Sequence, residues 1–330
     1  MSTPVSTILL TGAAGFIGGH LARVLSARRD IQLILSDDFS RSDKMPNWSD
    51  LRDARLIPRD ELMETLQSEH IRPQCVIHLG ARTDTAEFDY AVHERWNLNY
   101  SKEVWRFCSD FQVPLIYASS AATYGNGEKG YSDDESLLSA LQPLNPYGLS
   151  KHQFDLWVKE QSSRPPHWYG LKFFNVYGYR EAHKGRMASM VYHGFHQVLE
   201  KGTVRLFRSH RPGVQDGEQQ RDFIYVKDIV RVIDWLMTSC PVSGIYNLGT
   251  GQARPFNDLI GAVFQAVGRP TQIEYIDMPE DIRDSYQYYT EAPMDKLRAA
   301  GYPYPFYSLE EGVTDYLQTY LLPETDRGVH

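Results

Sequence analysis

The chain has 330 residues, 42% of them hydrophobic and 23% charged, enough to bury one large α/β unit or two closely joined lobes. Its 34 Lys and Arg stand against 42 Asp and Glu, a formal net charge of -8. That balance excludes a general attraction to nucleic acid or acidic membranes and requires any anionic ligand to be met by a local cluster of cations. Cys75, Cys108 and Cys240 suit neither a disulfide framework nor a zinc site, and "MSTPVSTILLTGAAGFIG" has no basic leader and no long apolar run, so a cytoplasmic protein without a metal is expected.

In chain order, the β-like runs "TILLTG", "IQLILSD", "ARLIP", "CVIHLGA" and "PLIYASS" are separated by helical stretches such as Phe16 to Ala27 and Val92 to Ser109. That alternation predicts βαβ units around a parallel sheet with helices on both faces. A helix beginning near Pro146 follows, then a strand-like run, "WYGLKFFNVYG". Beyond it the polar stretch Arg208 to Asp222 reads as a long mobile loop. "DFIYVKDIVRVIDWLM", "GIYNLGTG" and an amphipathic stretch from Ser308 to Leu321 close the chain. The predicted division is a dinucleotide-binding domain over 1–179, with a return segment near 223–250, and a substrate lobe over most of 180–330.

The stretch "TGAAGFIGGH", directly after the first strand, places Gly12, Gly15 and Gly18 at G-x-x-G-x-x-G spacing. A glycine turn opening a helix lets backbone approach a pyrophosphate and presents free N–H groups to it. "LILSDD" ends a second strand about 20 residues on, with Asp37 where a carboxylate meets an adenosine ribose. Asp37 and Asp38 repel a 2'-phosphate, whereas Arg41, Lys44 and Arg59 stand ready to surround one. On these residues the choice between NAD and NADP stays open.

In "NPYGLSK", Tyr147 and Lys151 are four apart on a segment whose Pro146 suits a first helical turn, so they share one face. The lysine ammonium can hold a ribose and lower the phenol pKa, preparing Tyr147 to exchange a proton with an alcohol. Upstream, "YASSAATYG" ends a strand in hydroxyls and puts Ser120 at the sheet's carboxyl edge. Each signal is weak alone, and their order is the specific feature: glycine turn, serine at a later strand end, tyrosine and lysine on the next helix.

On these residues the chain resembles the extended short-chain dehydrogenase/reductases that modify nucleotide sugars. "FNVYGYREAHKGRMASM", "RDFIYVKD", "YNLGTG" and "LRAAGY" resemble, more narrowly, the ADP-glycero-manno-heptose 6-epimerase family. The resemblance implies a Rossmann-type doubly wound parallel sheet with a smaller, mixed α/β substrate-binding lobe, an NADP cofactor with NAD as the alternative, an ADP-heptose substrate and a homo-oligomer. It implies epimerisation at C6 through a transient 6-keto sugar. Tyr147 is then one acid/base and Lys184 the second, Lys151 the support of Tyr147, and Ser120 a donor to the reacting oxygen. On the cofactor side the resemblance matches Gly12, Gly15, Phe16, Ile17, Gly18, Asp37, Asp38, Lys44, Arg59, Leu79, Gly80, Ala81, Asn97 and Val176. On the substrate side it matches Asn175, Arg186, His193, Phe207, Arg221 and Tyr286.

The chain departs from the family's pattern at Asp38, where Asn is usual, at Arg82 and Asp84 in "HLGARTDTAEFD", and at Arg186, where a small Ser is usual. Two rival readings remain: a UDP-hexose 4-epimerase or another nucleotide-sugar enzyme on the same core, and a non-catalytic dinucleotide-binding sensor. A 4,6-dehydratase fits less well, because "SSAATYG" lacks an acidic pair.

Overall fold

The computed structural model describes residues 5–85, 87–283 and 286–326. Its seven-stranded sheet is built from β1 (Ser6–Thr11), β2 (Ile31–Asp37), β3 (Arg55–Pro58), β4 (Cys75–His78), β5 (Leu115–Ser120), β6 (Trp168–Phe173) and, after a long excursion, β10 (Gly244–Leu248). Its strand order is β10-β6-β5-β4-β1-β2-β3, and every neighbouring pair is parallel. Near-continuous apolar runs such as Ile8, Leu9 and Leu10 are buried because helices cover both faces of such a sheet. The order reverses between β1 and β4, the place where a parallel sheet opens a crevice at its carboxyl ends.

Three strands outside that sheet, β7 (Asn175–Tyr177), β9 (Gln220–Tyr225) and β11 (Ala253–Pro255), form a second sheet, with β7 parallel and β11 antiparallel to β9. A parallel pair, β8 (Val204–Phe207) with β12 (Ile273–Ile276), completes the strands. Two apolar cores result. One surrounds the large sheet and takes in Ala292, Met294, Leu297 and Tyr302 from the far end of the chain. The other gathers Val191, Phe195, Ile260, Val263, Val313 and Tyr316, and it reaches the glycine turn through Phe16. No described helix is long and apolar enough to cross a membrane.

Two sequence expectations change. "WYGLKFFNVYG" is not one strand: it breaks at Phe174, whose ring packs against Tyr124 and Tyr131, and the chain passes there from the large sheet to the second. The stretch from Arg208 to Asp222 is not one long mobile loop either, because its last three residues belong to β9. The rest is tied down. The Arg208 N–H donates to the Ile276 carbonyl at 2.8 Å, the Ser209 N–H to Asp216 at 2.8 Å, and the Asn257 amide to the Asp216 carbonyl at 3.0 Å.

Helix Pro146–Glu160 is anchored to the sheet by charge. Its Asp155 accepts from Lys172 of β6 at 2.9 Å, with both side chains fully buried, and from the Ser119 hydroxyl of β5 at 2.7 Å. Lys172 also donates to Thr123 at 2.5 Å and lies over the Tyr124 ring. Lys172→Met leaves the carboxylate buried without its cation and is expected to lower unfolding free energy by about 3–5 kcal/mol, read from denaturant midpoints. Adding Asp155→Leu should restore part of that loss. A second loss of full size would show that the two charges are not coupled.

Candidate active site

The chain leaving β1 turns sharply at Gly12, in the left-handed region at φ 70°. A Cβ there would lie 2.6 Å from the Gly80 nitrogen and 2.7 Å from the Leu79 carbonyl carbon, so only glycine lets this turn meet the backbone leaving β4. Helix Phe16–Ser26 then folds back so closely that a Cβ on Gly18 would lie 2.0 Å from the Gly12 carbonyl oxygen. Above this turn lies a cavity of about 570 Å³ along the carboxyl edge of the sheet. Gly12, Gly15, Phe16, Ile17, Gly18, Asp37, Asp38, Lys44, Arg59, Leu79, Gly80, Ala81 and Val176 line it, as do Ser120, Tyr147, Lys151 and Lys184.

Asp37 does not present a free carboxylate to a ribose. One oxygen accepts the Ala14 N–H at 2.9 Å; the other accepts the Asp38 N–H at 2.7 Å and Lys44 Nζ at 3.1 Å. Asp38 accepts from the Ser40 hydroxyl at 2.5 Å, which holds its carboxyl below the usual range, and it faces Arg59 at 3.6 Å. The Arg59 guanidinium lies 3.9 Å from the centre of the Trp96 ring. The glycine turn, the helix N-terminus and these cations fit a nicotinamide dinucleotide: close backbone for the pyrophosphate, positive charge beside the adenosine end.

At the other end, Asn145 caps helix Pro146–Glu160 by accepting the Gly148 N–H at 2.8 Å, with Pro146 in the first turn. Tyr147, Lys151 and Asp155 follow at four-residue spacing on one face. Burial pushes the Tyr147 phenol above its ordinary value, and a hydrogen bond with the Ser120 hydroxyl opposes that rise. The net shift is thus upward, opposite to the lowering expected from Lys151. The Lys151 ammonium donates to the Ala118 carbonyl at 2.8 Å, and burial brings its pKa down to about 8 against the opposing charge of Asp155.

Lys184 enters from the short helical turn Ala182–Met187, its ammonium 5.3 Å from the centre of the Phe16 ring. Burial lowers its pKa, and the carboxylate of Glu181 works in the opposite direction. Two candidate proton-transfer groups, Tyr147 and Lys184, thus line one cavity with Ser120.

Asn97 lies behind the lining. Its amide accepts the Arg82 N–H at 2.7 Å and donates to the Arg82 carbonyl and to Ser150, whose hydroxyl donates to the Tyr147 carbonyl at 2.7 Å. The Asn97 carbonyl accepts from Ser101, which is bonded to His78, and His78 is bonded to Thr11 at the glycine turn. Burial and the charge of Lys151 lower the His78 pKa to about 3, so it remains neutral.

The remaining substrate candidates fall outside the cavity lining. Asn175 is exposed on β7, Arg186 pairs with Asp84 at 3.2 Å, and the His193 ring packs beside Tyr192. Phe207, Arg221 and Tyr286 form their own cluster: the Phe207 and Tyr286 rings meet edge-on at 6.3 Å, and the Arg221 guanidinium lies 5.2 Å from the Tyr286 ring centre. Sequence reading missed Trp96, Thr83, His183 and Met187, which also line the cavity. Trp96 carries no signal of its own in "HERWNLN", because its role depends on stacking with Arg59 from a distant segment.

The NAD dependent epimerase/dehydratase family model matches residues 8–249. An ADP-L-glycero-D-manno-heptose-6-epimerase of Fusobacterium nucleatum is 45% identical over 96% of this chain and 98% of its own length. One from Nitratidesulfovibrio vulgaris is 44% identical over 95% of this chain and 97% of its own. Among solved structures, the Helicobacter pylori ADP-L-glycero-D-manno-heptose-6-epimerase superposes with a TM-score of 0.82 at 28% identity, covering 96% of each chain. A Thermotoga maritima UDP-glucose 4-epimerase follows the same fold with a TM-score of 0.79 at 26% identity, over 96% of this chain and 99% of that one. The turn, the serine, the tyrosine–lysine pair and full-length similarity agree: the chain belongs to the NAD dependent epimerase/dehydratase family and, within it, to the ADP-L-glycero-D-manno-heptose-6-epimerase family.

Proposed function

We propose that the protein interconverts ADP-D-glycero-D-manno-heptose and ADP-L-glycero-D-manno-heptose by inverting C6. The observation that carries this reading is the presence of Tyr147 and Lys184, two separate proton-transfer groups, in one cavity with Ser120. A nicotinamide dinucleotide held by the glycine turn and Lys151 would supply the hydride acceptor and donor for C6. The protein's own groups manage the proton. Burial disfavours charge on both, raising the Tyr147 phenol and lowering the Lys184 ammonium against the charge of Glu181, which brings the two groups' readiness to hold a proton closer together. One removes the hydroxyl proton as the 6-keto sugar forms. After rotation about the exocyclic C5–C6 bond presents the other carbonyl face to hydride, the second group supplies a proton to the C6 oxygen, and Ser120 donates to that oxygen throughout. Lys151 holds the dinucleotide's ribose.

Arg221, Phe207 and Tyr286 serve the ADP portion, with Asn175, Arg186 and His193 as further substrate contacts, and residues 180–330 supply most of this lobe. The same reading carries a cytoplasmic homo-oligomer with it. The preferred cofactor is NADP. Both Asp37 oxygens are already engaged, which weakens its claim on a ribose hydroxyl, while Lys44, Arg59 and Arg41 border the same end of the cavity.

Titration of cofactor-free protein should give tighter binding of NADP than of NAD; equal or tighter NAD binding would assign the decisive effect to Asp37 and Asp38. Tyr147→Phe should keep the fold and the cofactor and lose roughly 10²- to 10⁴-fold in turnover of ADP-heptose, measured without added reductant. Near-normal turnover would remove Tyr147 from the mechanism, and turnover of UDP-hexoses instead would replace the sugar assignment.

Lys184→Met is expected to abolish epimerisation while sparing dismutation of a substrate analogue carrying an aldehyde at C6. In that reaction one hydrated aldehyde is oxidised to a carboxylate as a second is reduced to the alcohol, and Tyr147 alone serves it. Unchanged epimerisation would remove Lys184 from proton transfer. Loss of both activities with weaker ADP-sugar binding would make it a substrate clamp.

A further inference from the structure

The segment Ser42–Asn47 crosses from the adenosine side of the cavity to the turn carrying Lys184, and its last residue is buried at only 4% exposure. The Asn47 amide nitrogen stands 3.1 Å from the Ala14 carbonyl and 3.4 Å from that of Gly15, both in the glycine turn. It also stands 3.2 Å from His183 Nδ1 and 3.4 Å from the Arg180 carbonyl, both at the base of the Lys184 turn. An amide has two N–H bonds, and here the acceptors divide between residues 14–15 and residues 180–183, more than 160 residues apart in sequence.

Three neighbouring features hold the same junction. Arg180 takes φ 79°, a conformation that a non-glycine residue adopts only when its surroundings impose it, and its guanidinium donates to the carbonyl of Pro46. His183 Nδ1 also stands 3.1 Å from the Arg180 carbonyl; when it carries the proton it donates there, and the Asn47 amide then reaches the Lys184 turn through the Arg180 carbonyl instead. Helix Phe16–Ser26 presents Gly19 to this segment, where a Cβ would lie 2.9 Å from Asn47 Cβ and 3.0 Å from its carbonyl oxygen. The approach of Asn47 is therefore built into the helix as well as into the turn. None of these contacts touches the reacting end of the cavity, yet Lys184 begins its turn through its own N–H to the Glu181 carbonyl, one residue from Arg180.

We propose that Asn47 is a positioning residue for Lys184: it fastens the turn that carries the second proton-transfer group to the glycine turn. This rests on the reading of Lys184 given above. Because Tyr147 is held from helix Pro146–Glu160 through other contacts, loss of Asn47 should displace one proton-transfer group and leave the other in place.

The test uses the full-length enzyme with saturating cofactor and two probes, ADP-D-glycero-D-manno-heptose for epimerisation and the C6-aldehyde analogue for dismutation. Asn47→Ala is expected to lower the kcat of epimerisation roughly 10- to 100-fold, the scale of a misplaced group, while dismutation stays within about threefold. On the dismutation rate that Lys184→Met retains, Asn47→Ala should add no further loss. A merely structural role lowers both activities together, and that result, or a loss of dismutation in the double variant, would overturn the proposal while the Lys184 reading stands. Full epimerisation by Lys184→Met alone would instead remove the reading and the proposal with it. Should Asn47→Ala fail to fold, Gly19→Ala decides: it crowds Asn47 without removing the amide, and the same selective loss is expected, whereas equal loss of both activities rejects the coupling.

Discussion

The approach of two backbones, at Gly12 beyond β1 and at Leu79–Gly80 beyond β4, is the contact on which the rest of the site depends. These strands are neighbours where the order of the sheet reverses, so the chains leaving them diverge and open a crevice. The crevice is usable only because its floor is thin. With a Cβ at residue 12 the two strand ends would separate, the helix beginning at Phe16 would tilt away, and the row of free N–H groups facing the cavity would lose its aim.

Burial of charge shapes the chemistry above that floor. In a chain with a net charge of -8, three lysines line the cavity and a fourth, Lys172, is buried in β6, and each is treated differently. Lys44 pairs with Asp37, which in turn braces the glycine turn. Lys172 is neutralised by Asp155 and serves structure. Lys151 faces a carbonyl and Lys184 an aromatic ring, and burial lowers both pKa values against the opposing charges of Asp155 and Glu181. The pairs that stabilise the frame are thereby separated from the lysines whose proton is held less firmly.

A line of buried polar groups joins the two ends of the cavity. From Thr11 it runs through His78, Ser101 and Asn97 to Ser150 and the Tyr147 backbone. Its donors and acceptors are matched when His78 carries its proton on Nε2, and the low pKa of that ring keeps the arrangement constant through the physiological range. A satisfied network of this kind is rigid, which holds the glycine turn and helix Pro146–Glu160 in fixed relation.

The sequence by itself determined the large sheet, the glycine turn, Ser120 at the end of β5 and the Tyr147–Lys151 pair, because each depends on local periodicity or on spacing within a single strand–turn–helix unit. Gly12, Gly15 and Gly18 were legible for the same reason: their need arises within eight residues. Only the tertiary structure decided that Asp37 is spent on the glycine turn, that the Tyr147 phenol is raised rather than lowered, that Trp96 stacks on Arg59 and that Phe174 splits an apparent strand between two sheets. It likewise decided that Phe207, Arg221 and Tyr286 form a cluster apart from the cavity. Each of these results from burial or from contact between segments far apart in the chain. Burial sets the cost of a charge and contact sets its partner, and neither quantity exists until the chain has closed upon itself.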